Sequence, residues 1–291
     1  MRIGALEAGG TKMVCAIGNE KGEILESQSF PTETPEITLP KLLQYFEERS
    51  IEALGIGCFG PINLHRDSDT YGYITTTPKL AWQNCNIVGN FEKLHVPIGF
   101  DTDVNGSVLG EHTWGAARGL KSCIYITIGT GIGVGIISDG QLLHGMLHAE
   151  GGHILLTRHP QDTYQGKCPF HGNCFEGFCA GPAVEERWGR PGAELVERKE
   201  VWELEAYYIA QALVDYVMML SPQKIILGGG IMHQEQLFPM IRKAFAELMN
   251  GYIQTKELED LERYIVPPSL QDKQGIMGAI QLALLEMERK K

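Results

Sequence analysis

The same short pattern occurs twice in this chain of 291 residues, and it restricts the folds that the chain can adopt. Over residues 2–18, two short apolar segments flank a turn that contains glycine, and residues 122–138 repeat the arrangement. Apolar runs separated by such turns are typical of paired β-strands. The sequence therefore predicts two lobes, each of which opens with a strand, a glycine turn and a second strand.

The rest of the chain alternates between helical and strand patterns. Helical spacing of apolar residues predicts helices at residues 39–49, 104–114, 201–220, 236–249 and 274–287. Apolar runs predict buried strands at residues 24–30, 53–59, 96–100 and 224–227. We therefore expect an α/β protein with one lobe at residues 1–117 and another at 118–291, the last helix packing back on the first lobe. Residues 150–181 are rich in Gly, Cys and His and are expected to be irregular.

The glycine turns are candidates for binding phosphate, because glycine lets backbone amides approach an anion closely. The motif G-x-x-x-x-G-K-[ST] is absent, which excludes a Walker-type site. The motif G-x-G-x-x-G fails after residues 122–128, which disfavours a dinucleotide fold. We expect the turns that open the two lobes to hold one polyphosphate from both sides. The candidate residues, including a third turn, are Gly9, Gly10, Thr11, Lys12, Gly129, Thr130, Gly131, Gly228, Gly229 and Gly230.

Acidic residues stand where a predicted strand ends and a helix begins, at Asp101 and Asp103. One interpretation is structural, because an aspartate that caps the helix contributes about 1 kcal/mol of stability. The other is functional, because α/β proteins bind ligands at the carboxyl ends of strands and a kinase needs a base there. Asp103 is the candidate base, and it is able to serve both roles in part.

A group of Cys and His residues has the spacing of a structural zinc site. The segment C-x-x-H-x-x-C over residues 168–174, together with a distant His, supplies the four N and S ligands that zinc prefers. The predicted ligands are His153, Cys168, His171 and Cys174, with Cys179 as a spare that could replace one of them. Two acids, Glu150 and Glu176, flank the cluster, and the same ordered loop would hold both near the metal.

Charge and cysteine usage narrow the class of protein. A net charge of −11 makes the chain a poor binder of nucleic acids and anionic membranes. No apolar stretch reaches the roughly 18 residues of a membrane span, and the first residues do not resemble a signal peptide. We expect a cytoplasmic protein with no nucleic-acid or membrane partner. The four scattered cysteines, expected to be reduced and buried, are Cys15, Cys58, Cys85 and Cys123.

These motifs resemble those of the ROK family (repressors, open reading frames and sugar kinases), and within it the fructokinase branch. The resemblance covers nearly the whole chain and extends to Gly57-Cys58-Phe59-Gly60-Pro61, Asp103-Val104-Asn105 and Glu150-Gly151-Gly152-His153. It implies an actin-like ATPase fold, with two ribonuclease-H-like lobes and a central cleft. It also implies ATP, Mg²⁺ and Zn²⁺ as cofactors, a small-molecule sugar as partner, and a homodimer.

The resemblance further implies roles for single residues. Asp103 matches the catalytic base, and the first two glycine turns match phosphate-binding hairpins, with Thr130 near ATP. Positions beside the nucleotide base and ribose are matched by Gly181, Pro182, Gly228, Gly229 and Gly230. Positions that contact the sugar are matched by Asp103, Glu150, His153 and Glu176, and in zinc-bearing members the His is also a metal ligand.

The activity implied is ATP-dependent phosphorylation of fructose at its 6-hydroxyl group. Thr102 and Lys79 stand where many glucokinases of the family carry Asn, which favours fructose over glucose. The alternatives are a kinase for mannose, glucose or N-acetylmannosamine, a non-catalytic sugar sensor, or a zinc module that binds another protein. The intact Asp103 and the lack of room for a helix-turn-helix segment before the first strand argue against the sensor.

Overall fold

The computed structural model describes residues 1–290, which form two compact units. The sequence predicts a boundary after residue 117, with the last helix packing back on the first lobe. In the structure the chain leaves unit 1 after Gly119 and returns to it at residues 142–148 and 269–290. Unit 1 contains Met1–Gly119, Leu142–His148 and residues 269–290, and unit 2 contains Leu120–Gln141 and Ala149–Pro268.

The strands and helices alternate along the chain as an α/β fold requires. The strands within residues 1–290 are β1 (Ile3–Ala8), β2 (Lys12–Gly18), β3 (Ile24–Pro31), β4 (Ala53–Cys58), β5 (Tyr73–Ile74), β6 (Cys85–Asn86), β7 (Ile98–Thr102), β8 (Cys123–Ile128), β9 (Ile132–Ser138), β10 (Gln141–Leu142), β11 (Ile225–Gly228) and β12 (Ile265–Val266). The α-helices are α1 (Pro35–Glu47), α2 (Ile87–Phe91), α3 (Asp103–Thr113), α4 (Phe175–Cys179), α5 (Gly181–Trp188), α6 (Lys199–Leu220), α7 (Leu237–Met249), α8 (Leu261–Tyr264) and α9 (Gln274–Arg289). None of these helices combines the length and apolar character that a bilayer-spanning segment needs.

Unit 1 is built on a five-stranded sheet in the order β3-β2-β1-β4-β7. β1 and β2 are antiparallel, whereas β1, β4 and β7 run parallel to one another. Ala8 pairs with Cys58, and Cys58 pairs with Thr102, so the three parallel strands end at one edge of the sheet. Asp103 follows Thr102, and the turn at residues 9–12 follows Ala8. Both therefore lie at this edge.

Helix α9 packs against the unit 1 sheet with its backbone in contact with the strands. A Cβ atom on Gly55 of β4 would lie 1.7 Å from the carbonyl oxygen of Ala279. Gly278 of α9 faces helix α3 as closely, because a Cβ there would lie 1.7 Å from the carbonyl oxygen of Gly106. Glycine at these two positions permits an approach that any other residue would prevent.

Unit 2 repeats the arrangement of unit 1 on a second sheet, in the order β10-β9-β8-β11-β12. β8 and β9 form an antiparallel hairpin, and β8 is parallel to β11. Trp202 and Tyr208 of α6 are fully buried in one cluster with Ile126 of β8. The repeated strand–turn–strand pattern of the sequence thus corresponds to two sheets of like topology.

The segment at residues 150–181, expected to be irregular, contains short helices. A single 3-10 turn spans Gly151–His153, α4 follows the Cys-rich segment, and α5 begins directly after α4. Helix α4 begins after Cys174, whose sulfur accepts a hydrogen bond from the amide of Gly177 at 3.3 Å. A cysteine in the capping position is an unusual helix start, which explains why the sequence pattern did not reveal it.

Candidate active site

The first glycine turn (residues 9–12) joins β1 to β2 at the edge of the unit 1 sheet. A hydrogen bond from the amide of Gly9 to the carbonyl oxygen of Lys12, at 3.1 Å, closes the turn. Thr32 supports it from β3, because its hydroxyl donates to Gly9 O at 2.7 Å and its amide donates to Thr11 O at 3.0 Å. Thr11 and Lys12 are exposed. The turn is therefore both ordered and accessible, as a phosphate-binding loop must be.

Asp103 is the first residue of α3, yet its carboxylate does not cap the helix. The cap is Thr102, whose hydroxyl accepts a hydrogen bond from the amide of Asn105 at 3.1 Å. Asp101 is engaged by Asn105 Nδ2 at 2.7 Å, and Asp103 Oδ1 accepts from the amide of Val104 at 2.8 Å. Burial raises the pKa of Asp103, and backbone hydrogen bonds partly offset the rise. A carboxylate with a raised pKa is suited to accept a proton.

Glu7 is an acidic residue at the same edge that the sequence analysis did not single out. Its carboxylate packs against the start of α9, because a Cβ atom on Gly275 would lie 2.6 Å from it. Burial raises the pKa of Glu7 to about 7, and the negative charge of Asp103 adds to the rise. The sequence did contain one signal, an acid inside the apolar strand β1. A buried acid costs stability, so its presence in such a strand indicates a functional role. Both Glu7 and Asp103 offer carboxylate oxygens, the ligand type that hard divalent cations prefer.

Three glycine segments meet in unit 2 around the second glycine turn (residues 129–131). The amide of Gly181, at the start of α5, donates to Gly129 O at 2.7 Å. On the other side, a Cβ atom on Gly129 would lie 3.7 Å from the amide nitrogen of Gly230. Gly229 has a φ of 90° and packs on the backbone of Ile128, a conformation that favours glycine. The same three segments contain the other residues predicted to bind the nucleotide, namely Thr130, Gly131, Pro182 and Gly228.

Glu176 links the second glycine turn to the Cys-rich segment. Its Oε2 atom accepts a hydrogen bond from the amide of Ile132 at 2.9 Å, and a Cβ on Gly131 would lie 2.8 Å from the same atom. The carboxylate thus holds the turn, and a sugar hydroxyl would bond to its remaining lone pairs. Glu150 is exposed and directly precedes the turn that carries His153. Contact of Glu150 and Glu176 with a sugar stays a prediction.

Four side chains in unit 2 form a cluster whose donor atoms all lie within 4.8 Å of one another, namely those of His153, Cys168, His171 and Cys174. Nδ1 of His153 lies 3.8 Å from Cys168 Sγ and 3.5 Å from Cys174 Sγ. Nδ1 of His171 lies 3.6 Å from Cys168 Sγ. Two thiols and two imidazoles with these separations fit the tetrahedral set of a structural zinc ion. Because Nδ1 of His153 faces the thiols, its Nε2 is left for another partner.

Cys179 lies outside this cluster, although the sequence made it a spare ligand. It is fully buried in α4. Burial raises its pKa far above the ordinary value, and Glu205 of α6 interacts with its thiol. Glu205 is itself buried, and burial raises its pKa to about 8. Cys179 is therefore a core residue that faces α6, and the four-residue cluster does not need it.

The Cys-rich segment is also held by a buried ion pair between Arg187 and Asp162, at 3.3 Å. Arg187 donates to the carbonyl oxygen of Phe178 at 2.9 Å, and its guanidinium lies 4.6 Å from the centre of the Tyr164 ring. Asp162 accepts a hydrogen bond from the hydroxyl of Tyr208 at 2.7 Å. These contacts hold Asp162 and Tyr164 without involving any residue of the four-residue cluster.

Known proteins resemble this chain over nearly its whole length. The model of the ROK family matches residues 3–286. A Bacillus subtilis protein that bears a fructokinase name is 52% identical, the alignment covering 97% of this chain and 95% of the relative. The fructokinase of Pediococcus pentosaceus is 44% identical, with 97% and 98% covered. The crystal structure of a ROK hexokinase from Thermus thermophilus superimposes with a TM-score of 0.80 at 25% identity, with 99% and 100% covered. This chain therefore belongs to the ROK family and has its actin-like ATPase fold.

Proposed function

We propose that this chain transfers the γ-phosphoryl group of ATP to the 6-hydroxyl group of fructose. The observation that carries the proposal is the position of Asp103, whose pKa is raised, at the same sheet edge as the first glycine turn. Phosphoryl transfer to an alcohol needs a base and a phosphate-binding element. Fructose as the acceptor is supported by the relatives with fructokinase names, which are 40% to 52% identical to this chain.

In unit 1, Asp103 accepts the proton of the 6-hydroxyl group as that oxygen attacks the γ-phosphorus. The bond between the γ-phosphorus and the oxygen of ADP breaks, and backbone amides of the first glycine turn bind the phosphate oxygens. Glu7 is the residue best suited to hold Mg²⁺, because a divalent cation would offset the cost of ionising a buried carboxylate. When bound with ATP, Mg²⁺ neutralises charge on the phosphates.

In unit 2, the glycine-lined surface formed by residues 129–131, 181–182 and 228–230 binds the rest of the nucleotide. Glu150, His153 and Glu176 contact the sugar, and His153 does so through Nε2 while its Nδ1 belongs to the metal cluster. His153, Cys168, His171 and Cys174 would hold Zn²⁺, and a set of four protein ligands is typical of a structural site. Binding there would fix the turn that carries Cys168 and His171.

We also propose that the enzyme works in the cytoplasm as a homodimer, with the sugar and ATP as its small-molecule partners. The resemblance to the family supports the dimer, and seven cysteines that form no disulfide bond are typical of the reducing compartment. A negatively charged surface fits the absence of a nucleic-acid partner. Sedimentation equilibrium would show a mass near twice 32.2 kDa for the dimer, and a mass of one chain would contradict it.

The test of the function is ATP turnover measured in parallel with fructose, glucose and mannose in the presence of Mg²⁺. We expect ADP release with fructose and a higher kcat/KM for fructose than for the other two hexoses. Fructose should also bind to the protein without ATP. Binding of fructose without any ADP release would support the non-catalytic sugar sensor instead. A higher kcat/KM for glucose or mannose would show that this hexose, and not fructose, is the phosphoryl acceptor.

The matched variant for this test is Asp103→Asn, which keeps an oxygen to accept the hydrogen bond from Val104 but cannot accept a proton. We expect kcat to fall by a factor of about 100 or more while fructose binding changes little. Asp69→Asn, at an exposed aspartate of unit 1, serves as the control and should keep the kcat of the wild type. A kcat near that of the wild type in Asp103→Asn would remove Asp103 from the mechanism.

A further inference from the structure

A lysine outside the predicted site lies against the first glycine turn. The Cε atom of Lys79 is 3.0 Å from the position that a Cβ atom on Gly10 would take, and its Cδ is 3.9 Å from it. Among residues 1–290, no other side chain or distant backbone atom comes within 4 Å of that position. The aliphatic part of Lys79 therefore covers the face of Gly10, and the ammonium group, one bond beyond Cε, lies at the turn.

The backbone of Lys79 is fixed on both sides, so this placement is built into the fold. Its amide donates to the hydroxyl of the buried Thr77 at 3.3 Å. Its carbonyl oxygen accepts from the amide of Trp82 at 2.8 Å. Trp82 is fully buried and donates through Nε1 to Glu33 O at 2.8 Å. A short segment with a tryptophan anchor thus carries the lysine to the glycine turn.

No acidic group in the described part of the chain serves as a counterion for Lys79. Lys79 is half-buried, yet within residues 1–290 its ammonium group takes part in no ion pair and no hydrogen bond. Lys41 of the same unit, in contrast, is paired with Glu33 at 2.9 Å. A partly desolvated cation without a partner is costly, and a bound anion would offset that cost.

We propose that the Lys79 ammonium group binds the γ-phosphoryl group during transfer, a role that rests on the proposed kinase function. The transferring group carries its negative charge on three oxygens, and a fixed cation at the turn stabilises it where backbone amides supply only partial charges. The bond from the fructose O6 atom to phosphorus forms while the bond to ADP breaks. The hydroxyl proton goes to Asp103, and Lys79 keeps its own protons throughout.

Lys79 differs in its environment from Lys12, the lysine that the sequence predicts as the cation of the turn. Lys12 is in the turn and its side chain is exposed to solvent. Lys79 reaches the turn from another segment and is half-buried, so water screens its charge less. We therefore assign the larger effect on phosphoryl transfer to Lys79.

The test compares Lys79→Met with the wild type, because methionine keeps the part of the side chain that covers Gly10 and removes the charge. We expect kcat with fructose to fall about 100-fold or more, with the KM for fructose changing less than about threefold. Lys79→Arg restores the charge and should recover part of the lost kcat. Lys41→Met removes the same charge from an exposed position of α1 and should leave the kcat unchanged.

Two results would overturn the assignment. If kcat of Lys79→Met stays within about threefold of the wild type, the charge of Lys79 does not contribute to phosphoryl transfer. A raised KM for fructose at unchanged kcat would make Lys79 a sugar-recognition residue instead. Either result leaves the kinase activity of the wild type, and thus the proposed function, intact.

Binding of inorganic triphosphate with Mg²⁺, measured by titration calorimetry, tests Lys79 without any sugar. We expect the affinity of Lys79→Met to be about tenfold weaker than that of the wild type and of Lys41→Met. If the wild type phosphorylates no hexose, the proposed function fails, while this titration still decides whether Lys79 binds phosphate. Equal affinities in the wild type and Lys79→Met would contradict the assignment.

Discussion

Two carboxylates at the edge of the unit 1 sheet, Asp103 and Glu7, are held where burial disfavours their charged forms. Such an arrangement costs stability, because a group whose pKa is raised by folding is easier to ionise in the unfolded chain. Sites that bind cations and transfer protons commonly accept this cost. The cost is measurable, since it depends on pH.

For Glu7 the sign of the dependence follows from its pKa, which is raised from 4.5 to about 7. Below pH 4.5 the group is protonated in both states and costs nothing. Between pH 4.5 and 7 the unfolded chain releases the proton while the folded chain keeps it, so the folded state loses stability as the pH rises, by roughly 3 kcal/mol once the pH exceeds 7. Glu7→Gln removes this penalty. We expect its gain in unfolding free energy to be about 2 kcal/mol larger at pH 8 than at pH 5, as measured by urea unfolding without divalent cations.

The same variant should lose most of its activity with Mg²⁺ and ATP, because glutamine is a poor ligand for Mg²⁺. Glu23→Gln, at an exposed glutamate of the same unit, is the control and should change neither stability nor activity at either pH. An equal change in unfolding free energy at both pH values for Glu7→Gln would show that the Glu7 carboxylate is not destabilised by burial.

At the residue scale, motif spacing selected Asp103 and the glycine turns as candidates, whereas it did not select Glu7 and used Lys79 only as an indication of sugar preference. Glu7 was missed because β1 is buried almost throughout, so no alternation marks the face on which an acid would stand. Lys79 was missed because its place depends on a segment without regular structure, held by Trp82 and Thr77. Contacts between distant parts of the chain fix both positions, and no local pattern records them.

At the element scale, the middle of the C-x-x-H-x-x-C turn has little support apart from the cluster, whereas Asn173 near its end bonds to Leu156 in both directions at 3.1 Å. The amide of Gly172 donates to Cys168 O at 2.9 Å, which closes the turn. Phe170 and His171 are exposed, and Phe170 is 82% accessible. Because few apolar contacts hold it, the turn is expected to open unless a metal joins its ends.

We expect the purified protein to contain one equivalent of zinc, measurable by elemental analysis. Removal of the metal by a chelator, or the substitution Cys174→Ser, should increase amide hydrogen exchange at residues 168–174 and cleavage by chymotrypsin after Phe170. Residues 162–167 should stay protected, because the Arg187–Asp162 ion pair holds them. Such sites contribute about 10–16 kcal/mol of binding energy in zinc-finger peptides, so the change at the turn should be large.

Cys85→Ser is the matched control, because Cys85 is half-buried in unit 1 and outside the cluster. It should bind zinc and resist chymotrypsin as the wild type does. Metal-free protein with unchanged exchange at residues 168–174 would contradict a structural role for zinc.

The clustering of His153, Cys168, His171 and Cys174 was predictable from sequence, whereas helices α4 and α5 were not. Spacing alone selects Cys168, His171 and Cys174, because zinc ligands on one turn must lie two or three residues apart. The two helices are short and contain glycine and proline, so their propensity is low. Burial of Phe175 and Phe178 in the unit 2 core stabilises α4, and such burial cannot be inferred from a local pattern.

At the scale of the whole molecule, the order of the chain and the two compact units do not coincide. Both hairpins could be predicted because each is formed by neighbouring residues. The expectation that the last helix packs back on the first lobe does not follow from helical spacing alone, which identifies an apolar face of α9 but not the sheet that it covers. In the structure, α9 belongs to unit 1, although unit 2 lies between α9 and the first 119 residues of unit 1 in the sequence.

We expect deletion of residues 269–291 to unfold unit 1 while unit 2 keeps its structure. Ile276 and Ile280 of α9 are buried in one cluster with Ile3 and Ala5 of β1. Each buried isoleucine contributes about 1.5–3 kcal/mol, a large part of the stability of an ordinary domain. Hydrogen exchange followed by mass spectrometry should show rapid exchange of the amides in β1 and β4, with those in β8 and β11 still protected.

The point variant Ile280→Ala tests the same contact in the intact chain. It should destabilise unit 1 by about 2–5 kcal/mol, whereas Leu285→Ala, which lies on the same helix and is 41% exposed, should have a much smaller effect. Within residues 1–290 the unit 2 core contains no residue of α9, so loss of protection in β8 and β11 after the deletion would contradict independent cores. Retained protection in β1 and β4 would show that the sheet is stable without its covering helix. Only a loss of hydrogen-exchange protection in β1 and β4, with protection kept in β8 and β11, would show that α9 is an obligatory part of unit 1 and not of unit 2.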